Sequence, residues 1–186
     1  MTRTRIRLLQ WICLITCMGL SLGIESLAMG PAKPHLTTVE KVDLGRYLGK
    51  WYEVARLPQR YEKDCIEATA EYRPSKKEGK IAVRNSCRKL SCDSEPVSVE
   101  GTARVVDPVN FSKLKVSFFW PFEGDYWILK LHPNYEYAVV GAPSRKALWI
   151  LSRTPHLDPS ILIDLLSEFS GQGFPTERMI FNEICE

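Results

Sequence analysis

Histidine is nearly missing from this chain. Only three of its 186 residues are histidine, and His35, His132 and His156 each adjoin a proline in loop-like sequence, a setting that reads as solvated surface and not as a proton-transfer centre. The His-Glu-x-x-His zinc pattern, the nucleophile elbow and the phosphate-binding loop are all missing. An excess of charge is missing too. The formal net charge is +3, and once Arg3, Arg5, Arg7 and Glu25 are set aside with the leader described next, 22 basic face 21 acidic residues. Neither nucleic acid nor an anionic surface is implied by that balance.

Long hydrophobic runs are limited to one. Arg3, Arg5 and Arg7 precede an apolar stretch from Leu8 to Ile24, and Ser26-Leu27-Ala28 places small residues at cleavage positions, the layout of an export signal. Gln10, Thr16 and two glycines interrupt the run, and Glu25 ends it, which argues against a membrane anchor. The expected organisation is a signal peptide over 1–28, a lead segment over 29–43 and one domain over 44–186. Cleavage after Ala28 would leave 158 residues, enough for one sizeable core. Four cysteines remain, Cys65, Cys87, Cys92 and Cys185. An even number in an exported chain reads as two disulfides, with three pairings open. Four residues separate Cys87 from Cys92 on the two arms of a hairpin, and no second ligand pair accompanies them, so a disulfide fits better than zinc.

What the chain has in quantity is short segments of period two. In "EATAEY" Ala68, Ala70 and Tyr72 alternate with Glu67, Thr69 and Glu71; "KIAVRN" sets Ile81 and Val83 against Lys80 and Arg84. "VSVEGTARV" turns Val97, Val99, Gly101, Ala103 and Val105 one way, "KLKVSF" does the same with Leu114, Val116 and Phe118, and "YWILKL" with Trp127, Leu129 and Leu131. With "GKWYEVAR", "YEYAVVG" and "ALWILSR" these make eight strands in about 105 residues, the spacing of an antiparallel meander. The connections at 75–79, 107–112, 120–125 and 141–146 are too short for crossover helices.

One helix follows. Asp158 suits its cap and Pro159 its first turn; Ile161, Leu162, Leu165, Leu166 and Phe169 form a single apolar stripe, ended by Gly171 and Gly173. Such a helix packs on a wall. "ERMIFNEIC" reads as a weaker final strand. The predicted fold class is all-β, an eight-stranded antiparallel up-and-down barrel with one C-terminal α-helix on its outside, because closure removes exposed edges. A barrel of eight leaves room for one small ligand, and Ala68, Ala70, Gly101 and Ala103 on the inward face enlarge that room. "EKDCIE" reads as a solvated acidic loop, and Asn110-Phe111-Ser112 matches a glycosylation acceptor in a turn.

In this order the elements resemble the lipocalins, specifically the bacterial lipocalin and apolipoprotein D branch, over residues 44 to 185. "GKWYEVARLPQRYE" is similar to the first family motif, "YEYAVVG" occupies the second with Tyr135-Glu136-Tyr137 in place of Thr-Asp-Tyr, "LWILSRTP" carries the third motif's arginine, and "VSFFWPFEGDYWIL" resembles this branch in particular. The resemblance implies that Trp51 plugs the closed end of the barrel with Arg153 packed over it, that Cys65 joins Cys185 while Cys87 joins Cys92, and that the chain carries a fatty acid or lysophospholipid. From inward parity toward the open end, Tyr72, Val99, Phe118, Trp127, Leu129 and Tyr137 are the expected lining. No cofactor and no metal is expected.

A few lipocalins resemble isomerases or de-epoxidases acting on a bound lipid or isoprenoid, the alternative reading. The four cysteines are assigned to disulfides and Glu53 is the only acidic residue sharing Trp51's parity, so a binding protein and not an enzyme is expected. The aromatic loop "FFWPF" offers contact with a membrane surface or a second copy in a homodimer. Periplasmic or secreted location is expected. The alternative is an outer-membrane lipoprotein anchored at Cys17 in "LITC", where Thr16 stands in place of the usual small residue.

Overall fold

The computed structural model describes residues 34–185; the signal-peptide and Cys17 readings fall outside that range. Eight strands run in chain order as β1 (Gly49–Arg56), β2 (Cys65–Pro74), β3 (Lys80–Lys89), β4 (Val97–Val105), β5 (Lys113–Phe119), β6 (Phe122–Leu131), β7 (Tyr137–Gly141) and β8 (Leu148–Ser152). Each pairs antiparallel with the next, and β1 pairs with both β2 and β8, which closes the barrel. Closure is shared along the length of β1. Residues 49–52 pair with β2, whereas Ala55 and Arg56 pair with β9 (Ile180–Phe181).

The C-terminal segment thus fills the gap where β2 leaves β1. The Asn182 backbone N–H donates to the Val54 carbonyl at 2.9 Å, the Glu67 N–H to the Glu183 carbonyl at 2.8 Å, and the Asn182 side-chain amide to the Glu53 carbonyl at 2.7 Å. Backbone donors and acceptors both need partners when water is excluded, and this short segment supplies donors to the Val54 and Glu53 carbonyls and an acceptor to the Glu67 N–H.

Two helices flank the barrel. The first, α1 (Leu44–Tyr47), was not legible as a helix; Asp43 caps it by accepting from the Gly45 and Arg46 N–H groups. The second, α2 (Pro159–Gly171), begins where expected, with Asp158 accepting from the Ser160 N–H. Its stripe packs outside the wall. Leu165 and Phe169 are buried with Phe174, Val139, Leu148 and Ile150, and Trp127, Leu129 and Tyr137 join them. The described part of the lead segment, from residue 34, is also part of the fold: Leu36 and Val42 are buried, and the Val39 and Val42 N–H groups donate to the carbonyls of Ile128 and Asn110.

The disulfides are Cys65–Cys87 and Cys92–Cys185, not 65–185 and 87–92. Cys65 opens β2 opposite Lys89, so Cys87, two residues along β3, faces the same way, with Cα atoms 5.5 Å apart. Cys92 lies beyond the end of β3 in the turn around Ser91–Ser94, and it meets Cys185 on the returning C-terminal segment at 5.4 Å.

Two bulges decide which side chains face inward. One falls in β1 between Glu53 and Ala55; the other falls in β6 between Ile128 and Lys130. A bulge adds one residue and reverses the parity beyond it. Leu131 therefore faces the interior as expected, yet Tyr126 and Ile128 face it as well, and the inward reading of Trp127 and Leu129 fails.

Candidate functional site

The closed end is built around Trp51, whose side chain is fully buried. Its indole N–H donates to the Tyr47 carbonyl at 2.9 Å, and the Arg153 guanidinium lies over its ring, 3.8 Å from the centroid. Arg153 also donates to the carbonyls of Lys50, Arg46 and Tyr47, so it ties α1 to the start of β1. Burial lowers its pKa. Gly49 stands at φ +94°, where an added Cβ would lie 3.4 Å from an Arg153 guanidinium nitrogen. Glycine tolerates that backbone at little cost, which explains the glycine two residues ahead of the tryptophan.

Above Trp51 the aromatic rings rise as a ladder. Tyr47 lies 5.0 Å from Trp51 and 5.5 Å from Tyr72, and Tyr72 lies 6.0 Å from Tyr126, centroid to centroid. Their hydroxyls form a chain, Tyr47 to Tyr126 at 2.8 Å and Tyr126 to Tyr72 at 2.7 Å. Burial raises the pKa of all three, so all remain neutral phenols. On the adjacent rung, Asn85 pairs across strands with Ala70 and Val99. Its buried Oδ1 has no hydrogen-bond partner.

Nearer the opposite end lies a charged group that single-residue patterns did not reveal. Arg56 donates to Glu53 Oε1 at 2.7 Å and to the Glu62 carbonyl at 2.7 Å; its Nε is 3.3 Å from the Glu62 carboxylate, which also accepts from the Trp149 indole at 3.2 Å. Arg56 faces Trp149 directly across the β1–β8 pair, and cross-strand partners share a face. Arg56 is 2% exposed. Two carboxylates thus share one guanidinium. Burial first, then the neighbouring Glu62, pushes Glu53 up to about 8; burial raises Glu62 as well. The solvated-loop reading of "EKDCIE" fails for Glu62, which belongs to this buried group; Glu67 lies on β2, where it stays partly exposed and pairs with Arg88 at 2.8 Å. Arg56 escaped the sequence reading because the β1 bulge reverses its parity.

The expected lining residues divide. Tyr72 faces the interior at 5% exposure, and Phe118 packs against the same interior cluster. Val99 lies across from Asn85 on the inner face and is half-buried. Trp127, Leu129 and Tyr137 lie outside the wall against α2, and Lys113 covers the Trp127 ring at 4.6 Å. The room expected behind Gly101 is taken by Phe118: an added Cβ there would lie 2.6 Å from that ring. At the end opposite Trp51, Phe119, Trp120 and Phe122 are exposed at 70%, 91% and 76%. Among the described residues no group of three or more His, Cys, Asp or Glu is placed to hold a metal ion.

Comparison with known proteins matches this architecture. The model of the Lipocalin-like domain covers residues 42–183. The "Outer membrane lipoprotein Blc" of Vibrio cholerae is 42% identical over 145 residues, spanning 77% of this chain and 83% of the relative. Bovine Apolipoprotein D is 31% identical over 160 residues, spanning 81% of each. Among solved structures, insecticyanin from the tobacco hornworm Manduca sexta superposes with a TM-score of 0.65 at 24% identity, over 83% of this chain and 87% of that one. With a domain match that spans most of the chain and a barrel plugged by tryptophan and arginine, this chain belongs to the lipocalin family.

Proposed function

We propose that the chain is an exported carrier holding one small hydrophobic ligand, a fatty acid or lysophospholipid, inside the barrel. The observation that carries this reading is a gradient of packing along the interior. Trp51, Tyr47, Ile81, Val83, Ala138 and Leu151 are buried, whereas the inward Val99, Val116, Phe118, Tyr126 and Trp149 keep accessible surface. Protein interiors are normally close-packed, so inward aromatic and aliphatic side chains left accessible form a lipophilic wall. An acyl chain suits it, since each methylene removed from water contributes about 0.8 kcal/mol.

The charged head of such a ligand stays at the open end, above the Glu53–Arg56–Glu62 group. There the apolar rim of Phe119, Trp120 and Phe122 continues the same surface, and we assign it to contact with a lipid membrane from which the ligand is taken up. The name of the Blc relatives, outer membrane lipoprotein, supports export. Cleavage after Ala28 is the form we favour; palmitate label incorporated by the wild type and lost in Cys17→Ala would replace it with a lipid anchor. Native mass spectrometry of protein purified without added lipid tests the carrier reading. Retention of an acyl-chain mass supports it, and a bare chain that also ignores added lipid contradicts it.

A further inference from the structure

We propose that the barrel contains a polar subsite, formed by the Tyr47–Tyr126–Tyr72 hydroxyl chain with the Asn85 amide one rung above, that binds a neutral oxygen at the inner end of the ligand. The inference rests on the carrier reading and specifies what the ligand carries at the end nearest Trp51. Three phenols supply three O–H donors, and the chain between them has two links. Whichever way the protons point, one O–H is left without an acceptor among the described residues. Tyr47 and Tyr72 are 2% and 5% exposed, so a spare donor on either is held where bulk water does not serve it, and a spare donor on the half-buried Tyr126 faces the barrel interior where the ligand lies. A buried polar group without a partner is costly, and such groups are normally satisfied.

The Asn85 side chain is a second, complementary polar group: its amide N–H can donate to a ligand oxygen, and its buried Oδ1 can accept from a ligand hydroxyl. Among the described residues it forms no side-chain hydrogen bond and its buried Oδ1 has no partner, and its cross-strand neighbours Ala70 and Val99 set it on the inner face. Tyr72 pairs with Val83, two residues from Asn85 on the same strand, so amide and phenol stand on successive inward positions about 7 Å apart along the strand. Ala70 beside them removes bulk. The subsite is therefore a free phenol donor and a free carboxamide on one apolar wall.

The chemistry of the occupant follows. The spare phenol needs an acceptor, and burial that keeps all three hydroxyls protonated also disfavours an anion there, so the acceptor is a ketone, ester or alcohol oxygen and not a carboxylate. A carboxylate head belongs at the mouth. The ligand class is an acyl or isoprenoid body with a neutral oxygen at the end remote from any charged head.

Paired probes test this: unmodified fatty acids from C10 to C16 and their (ω−1)-oxo counterparts, bound to delipidated protein and read by calorimetry at the best-binding length. A wall without donors would bind the oxo acid about tenfold more weakly, because the ketone loses its water. The expected wild-type ratio is within threefold, and the triple variant Tyr47→Phe, Tyr72→Phe, Tyr126→Phe should restore the roughly tenfold penalty. Any single Tyr→Phe change leaves at least one spare donor and should keep the wild-type ratio. If the triple variant does not fold, the infrared ketone band of a 13C-labelled oxo acid in the wild type decides: a shift to lower frequency than in hexane is expected. A wild-type penalty beyond threefold, a triple variant with the wild-type ratio, or an unshifted band overturns the subsite. Failure of both acids of every pair to bind overturns the carrier reading instead.

Discussion

Glu53→Gln should flatten the pH dependence of stability. In the folded chain Glu53 and Glu62 share the guanidinium of Arg56, with Glu53 5% and Arg56 2% exposed. Burial and the Glu62 charge push Glu53 up to about 8, while in the unfolded chain a glutamate titrates near about 4.3. Between those values the folded state binds the extra proton, so this stabilising contribution is complete below the unfolded pKa and is lost as pH rises through the folded one. The loss is at most about 1.4 kcal/mol per pH unit. From pH 6 to pH 8 that bounds the effect at about 3 kcal/mol, roughly 5–10 °C of melting temperature for a domain of this size. Glutamine keeps the oxygen that accepts from Arg56 and cannot ionise. Urea or thermal unfolding of wild type and variant at pH 6, 7 and 8 isolates the contribution as a difference between two slopes. A variant that loses stability with pH as steeply as the wild type would refute the raised titration of Glu53 beside the shared guanidinium.

Other outcomes follow from the same geometry. Non-reducing peptide mapping should recover Cys65 with Cys87 and Cys92 with Cys185, and removing the second link should cost more, about 4–5 kcal/mol against about 3 in the loop-entropy model, because its sequence separation is 93 residues and not 22. Arg153→Met should lose about 2–4 kcal/mol, through the ring contact with Trp51 and the donors to three carbonyls; Arg153→Lys should recover only part in thermal melts, since an ammonium cannot stack and fork at once. Gly101→Ala should cost about 1–3 kcal/mol through the Phe118 ring. Combining it with Phe118→Ala should shrink that coupling without erasing it, because the Ser117 carbonyl also lies 2.7 Å from the added Cβ.

Strand alternation, turn residues and the Asp158-Pro159 start of α2 made the barrel and its outer helix readable from the sequence, since each is a local signal. The interior was less readable where the period of two breaks. In β6 the bulge at Leu129 turned Trp127 and Leu129 outward to α2 and brought Tyr126 in; in β1 a bulge hid Arg56. Neither bulge carries a local marker such as glycine. The disulfides depended on where the C-terminal segment returns, a long-range pairing between β1 and β2 that residue spacing does not encode. Glu62 looked like surface charge because its partners, Arg56 and Trp149, come from strands β1 and β8.

The carrier reading requires the accessible half of the barrel interior to hold an apolar chain. Titrating delipidated protein with saturated fatty acids from C8 to C20, by calorimetry at fixed pH and salt, tests it most directly. Saturable one-to-one binding that tightens with chain length and then levels off as the space beneath the mouth fills is the predicted result. The absence of saturable binding at every length would contradict it.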